Sequence, residues 1–159
     1  MDTKILFYEK QQFNQWYIIV LFIVIDGFVL NAIIASKNFN AAFENGAVYG
    51  FIILAVVNLL FILLKMETTI KDDGIHLRFF PIIRSRCYRW DNIQKMQTLK
   101  YNPISFGGWG VRYGAYSVSG NKALEIQFKS GSKLLIGTRQ PEAIQNVLNS
   151  ITKNEKNTI

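Results

Sequence analysis

The sequence predicts an α+β membrane protein: an N-terminal transmembrane helical hairpin, then a seven-stranded β domain capped by a C-terminal helix. Three observations predict it. Two apolar runs, Ile18 to Ala35 and Ala47 to Leu64, are each about 18 residues, roughly 27 Å as helix and close to a bilayer's hydrocarbon thickness. From Met66 the pattern changes from solid apolar to an alternation of apolar and polar residues, the period of half-buried strands. From Pro141 the spacing becomes helical again. The expected division is residues 1–65 for the hairpin, with helices at about 16–35 and 47–64, residues 66–153 for the β domain, and 154–159 for a tail.

The 159 residues are 50% hydrophobic, yet mean hydropathy is only +0.14, because an apolar front is averaged with a polar back. Two helices that are apolar all round need either lipid or a core larger than this chain can supply. The formal net charge is +7. From Met66 onward there are 14 Lys and Arg against 7 Asp and Glu, so the whole excess lies in the β domain. A basic domain tethered to lipid is expected to lie close to anionic headgroups. No recognition helix or basic arm is visible, so no nucleic acid is expected as a partner. The lone Cys87 forms no intrachain disulfide.

Taken in order, residues 1–15 are short, polar and mixed in charge. Phe7, Tyr8, Phe13, Trp16 and Tyr17 suit the membrane interface. A signal peptide is disfavoured, because Asp26 interrupts the apolar run and cleavage after Ala35 would put Ile33 where a small residue is wanted. The connection Ser36 to Gly46 is expected as a loop. Lys4, Lys10, Lys65 and Lys71 flank the hairpin, whereas the connection carries Lys37 alone, which predicts both termini in the cytoplasm. Asp26 lies about 15 Å in from Trp16, and Asn58 about 9 Å in from Leu64. On antiparallel arms they fall about one turn apart in depth. They are expected either to bond and fix helix packing or to serve an oligomeric sensing or transport element through Asp26.

METTIK, the turn Asp72-Asp73-Gly74 and IHLRFF read as a β-hairpin with Ile75, Leu77 and Phe79 on one face. Pro81 ends the second strand. Further strands are expected at Arg84 to Trp90, Ile93 to Tyr101, Val111 to Ser119, Ala123 to Lys129 and Lys133 to Gly137, parted by turns at Ser119-Gly120-Asn121 and Ser130-Gly131-Ser132. Pro141 and Glu142 open a helix whose Ala143, Ile144, Val147, Leu148 and Ile151 form one apolar stripe. Seven short strands followed by one amphipathic helix is the order of a pleckstrin-homology-like β-barrel, plugged at its open end by the helix stripe.

The segments DDGIHLRFFP, Trp90 to Ile93 (WDNI), YNPISFGGWGVR, AYSVSGNKALEIQFKSG and LLIGTRQPEA resemble those of small bacterial membrane proteins in which a two-helix anchor precedes a pleckstrin-homology-like domain. The resemblance covers most of the chain. It implies a multi-pass protein of the bacterial cell membrane and implies no particular activity. Phosphoinositide-binding members of the wider fold share a basic first hairpin loop; here that loop is Lys71-Asp72-Asp73-Gly74, which argues against that ligand.

Gly107, Gly108, Trp109, Gly110 and Arg112 are the candidate ligand- or partner-binding residues: glycines that allow close approach, an aromatic platform and a guanidinium for an anion. The alternative is a structural bend entering the fifth strand. Arg78, Arg84, Arg86 and Arg89 are candidates for headgroup proximity, against an ordinary solvated face. Tyr101, Tyr113, Tyr116 and Trp90 are expected to pack in or over the core. His76 points off the apolar face, and neither HExxH nor CxxC is present, so no metal, cofactor or catalytic residue is expected. The expected function is a non-enzymatic, membrane-tethered binding or scaffold module. Its partners are the lipid bilayer and either another membrane protein or a second copy of itself.

Overall fold

The structure is a computed structural model. It describes residues 4–13, 15–36, 38–44, 46–102, 105, 110–112 and 114–156, with no account of the side chains of 39 and 152–156. The chain divides into two compact units, one of Phe13–Leu64 and the other of Met1–Gln12 with Lys65–Ile159.

The unit Phe13–Leu64 contains three helices, α1 (Trp16–Ile34), α2 (Phe39–Glu44) and α3 (Ala47–Leu63). The expectation of a two-helix hairpin with two spans is therefore corrected. The expected loop holds a helix of its own, which Asn38 opens by accepting from the Ala41 amide at 2.8 Å. Among the described residues only α1, at 19 residues, is long and apolar enough to cross a membrane. α3 is a shorter apolar helix of 17 residues. α1 has no buried residue; α3 covers one side of it, where the Phe22 and Phe61 rings meet at 5.0 Å, and most of its other apolar side chains are exposed.

The second unit holds nine strands in two open sheets among the described residues. The first sheet has the order β1-β2-β3-β4, with β1 Ile5–Gln12, β2 Lys65–Lys71, β3 Gly74–Phe80 and β4 Ile83–Arg89, all antiparallel. The second comprises β5 (Ile93–Lys100), β6 (Gly110–Arg112), β7 (Ala115–Ser117), β8 (Lys122–Phe128) and β9 (Lys133–Gly137), in the order β5-β8-β9-β7-β6. The β7–β9 pair is parallel. A 3-10 turn, Trp90–Asn92, joins the two sheets, and α4 (Pro141–Lys156) follows β9.

The closed seven-stranded barrel is thus corrected as well. Two strands were not foreseen. β1 arises in the segment expected at the membrane interface. The expected fifth strand breaks into the antiparallel pair β6 and β7 at Gly114, whose φ of +76° turns the chain.

Alternation builds the core. Met66, Ile70, Ile75, Leu77 and Phe79 of the first sheet are buried with Leu124, Ile126 and Ile136 of the second. Ile144 and Leu148 of α4 are also buried, so the helix stripe meets the core as its spacing predicts. The sheets meet directly through the Tyr88 and Phe128 rings, 5.6 Å apart, and through the Arg86 guanidinium, which donates to the Tyr116 hydroxyl at 3.1 Å.

Candidate functional site

The β2–β3 turn and the adjoining strand β4 carry the densest grouping of reactive side chains among the described residues. The turn is made by Asp72 and Asp73 and closes on Gly74, whose φ is +152°. A Cβ there would run into the carbonyl oxygen of Tyr88. Only glycine therefore lets β4 approach this closely, and that approach sets the register in which His76 faces Cys87 across the ladder.

Asp73 folds back over its own turn. His76 Nε2 lies 3.0 and 3.1 Å from the two Asp73 carboxylate oxygens and 3.7 Å from Cys87 Sγ. The hydrogen bond from His76 holds the Asp73 carboxyl below its ordinary value. All three groups reach solvent, His76 least. These are the residues that could hold a metal ion, and their ligand atoms all lie within 4.8 Å of one another. Sequence reasoning set aside His76, as pointing off the apolar face, and Cys87, as a lone thiol, because neither HExxH nor CxxC is present. The usable signal was their near-mirrored placement about the tight bend at Pro81.

The four arginines do not form a single patch. Arg86 pairs with Leu77 on the core-facing side of the sheet and reaches Tyr116. Arg78 lies on the opposite face, 3.5 Å from Glu67 and over the Phe80 ring at 5.7 Å. Arg89 pairs with Asp91 at 3.6 Å. Arg84 and Ser85 together oppose Arg78 at a β-bulge between the Phe79–Ile83 and Leu77–Arg86 pairs. The arginines are therefore spread over both faces of the sheet, three on the edge strand β4 and Arg78 on β3.

Asp26 and Asn58 do come together: Asn58 Nδ2 donates to Asp26 Oδ2 at 2.7 Å. A cavity of about 210 Å³ adjoins the pair, lined also by Phe13, Ile18, Phe22 and Phe61. Within the glycine-rich loop, Gly107, Gly108 and Trp109 lie outside the described residues, as does Tyr113. Gly110, with φ +129°, opens β6, and Arg112 closes it on the surface. Tyr116 is buried. Trp90 is partly buried and gives its Nε1 hydrogen to the Lys71 carbonyl at 3.1 Å.

No protein-family model, no curated protein and no solved structure matches the chain.

Proposed function

We propose that this protein is a membrane-anchored, non-enzymatic binding module, with α1 seated in lipid and the β unit offering strand β4 to a protein partner. One observation carries the reading: α1 holds 19 residues, a single acidic or basic side chain (Asp26) and not one buried position. In water such a helix would expose Ile23, Phe28 and Ile34 at 64, 73 and 72%. At ~25 cal/mol per Å² of apolar surface, lipid is its favourable surrounding.

Strand pairing brings the two ends of the anchor segment side by side. Gln12, the last residue of β1, is the direct partner of Lys65, the first of β2. The chain therefore leaves and rejoins the β unit at one place. The flanking Lys10 and Lys65 favour the cytoplasmic side.

β4 is an edge strand with four consecutive exposed residues, Arg84 to Cys87. Unpaired backbone groups beside guanidinium side chains suit an acidic extended segment that adds to the sheet.

The anchor is tested by alkaline carbonate extraction of membranes that carry the full-length chain. It should stay with the pellet and leave only in detergent; release into the supernatant would end the proposal. The binding surface is tested by affinity capture from detergent-solubilised membranes. The Arg84→Glu, Arg89→Glu double variant should lose the captured partner, and an unchanged partner set would remove β4 from consideration.

A further inference from the structure

We propose that Asp73, His76 and Cys87 form a binding site for a divalent transition-metal ion of zinc-like chemistry. The site is separate from the proposed anchor and does not depend on it.

The argument begins with the shape of the cluster. A base in a nucleophilic relay uses one ring nitrogen for the nucleophile and the other for the orienting acid. Here the same atom, His76 Nε2, faces both the Asp73 carboxylate and the Cys87 sulfur. That geometry cannot relay a proton from Cys87 through the ring to Asp73. Three ligand atoms turned toward a common point are what a metal ion requires.

The distances fit. With metal bonds of about 2.0 to 2.3 Å, tetrahedral ligand atoms stand about 3.3 to 3.7 Å apart. The observed separations are 3.0 Å between nitrogen and carboxylate and 3.7 Å between nitrogen and sulfur. Small side-chain rotations bring the three to a single centre.

The donor set is also selective. A thiolate, an imidazole nitrogen and one carboxylate oxygen suit zinc, cobalt(II) and related ions rather than magnesium or calcium, which prefer all-oxygen shells. On binding, Cys87 gives up its thiol proton to solvent and the imidazole carries its remaining proton on Nδ1, leaving Nε2 to the metal. Three protein ligands leave a fourth position to water or to a donor atom from a partner, as in zinc sites that are not purely structural. Strand register holds His76 opposite Cys87, and the tight turn holds Asp73, so the site is largely formed before the ion arrives.

The test is a cobalt(II) titration of the reduced full-length chain in detergent micelles. A sulfur-to-cobalt charge-transfer band should appear, saturate at a single ion per chain and be displaced by zinc. Cys87→Ser and His76→Gln should each abolish the band. Asp73→Asn should weaken binding by at least the roughly 10–100-fold that loss of an outer-shell partner costs. The three side chains lie on the exposed face, so the variants should keep the parent's circular dichroism. As a second readout, zinc should raise the Tm of the parent and not of Cys87→Ser. Absence of the band in the parent overturns the proposal. So does a band that survives both His76→Gln and Asp73→Asn, which would reduce the site to a lone thiol.

Discussion

Thr138 donates its hydroxyl to Glu9 at 2.6 Å, linking the residue after β9 to the first strand across 129 positions of sequence. Glu9 is 4% exposed. Its other oxygen accepts the Arg139 amide at 2.8 Å and the Gln11 side-chain amide at 3.1 Å. Gln11 in turn donates to the Gly137 carbonyl at 2.8 Å. β1 is thus fastened to the passage from β9 into α4 by a buried polar network as well as by its ladder with β2. Each donor left buried and unmatched costs ~1–3 kcal/mol. Glu9→Ala should therefore lower stability by about 3 kcal/mol or more, and Thr138→Val by about 1–2 kcal/mol. Thermal unfolding followed by circular dichroism in detergent checks both. A neutral Glu9→Ala would show that β1 is not part of the cooperative unit.

The same network explains why β1 was hidden in the sequence. Its inward side chains are Phe7, Glu9 and Gln11, two of the three polar, while Ile5 and Tyr8 face out. The binary pattern is inverted, so alternation gives no signal until Thr138 and Arg139 are known to be there. β2, β3 and α4 obey the ordinary rule: Met66, Ile70, Ile75, Leu77 and Ile144 point inward, and their spacing alone marks the elements. α2 is six residues long, too short for periodicity to reveal. The Asp73–His76–Cys87 cluster depends on cross-strand register, which no local motif marks and which only the placement of His76 and Cys87 about Pro81 signals.

Gly137 is required by packing rather than by backbone conformation. A Cβ at this position would lie 2.8 Å from the Ser117 Cβ, where β9 runs beside β7. Both neighbours are backbone-fixed in the parallel pair, so neither can swing away. Gly137→Ala should cost about 1–3 kcal/mol by overpacking. Adding Ser117→Gly should restore part of the loss, since it removes the atom that is struck. Chemical denaturation of the single and double variants decides this, and strictly additive losses would refute the contact.

Glu125 on β8 faces Gln97 on β5 in the ladder. The hydrogen bond from Gln97 is the chief reason its carboxyl sits below the ordinary value of 4.5, with Lys133 adding a smaller effect at 3.3 Å. A depressed folded pKa makes the unfolded state the stronger proton binder. Its stabilisation is therefore present above pH 4.5 and disappears as pH falls through the lower folded value. Gln97→Ala should move the Glu125 titration upward in an NMR pH series and flatten the acid limb of the stability curve. An unmoved titration would assign the shift to Lys133 instead.

The Asn58–Asp26 bond separates a packing role from a sensing role for the apolar unit. The 2.7 Å contact satisfies one carboxylate oxygen and joins α1 to α3. Asn58 Oδ1 finds no partner among the described residues, so the pair stands as a single link rather than a chain through which a proton could pass. Polar links between helices in lipid contribute about 0.6–2 kcal/mol. A double-mutant cycle with Asp26→Leu and Asn58→Leu should return a coupling energy in that range. Asn58→Leu alone should be the worst of the set, because it leaves a carboxyl in an apolar cavity without its donor. Asp26→Asn keeps a hydrogen-bonding pair and should leave membrane retention and partner capture unchanged. If Asp26→Asn abolished partner capture while retention and folding held, Asp26 would have a role beyond packing, and the anchor would have to be treated as the sensing element.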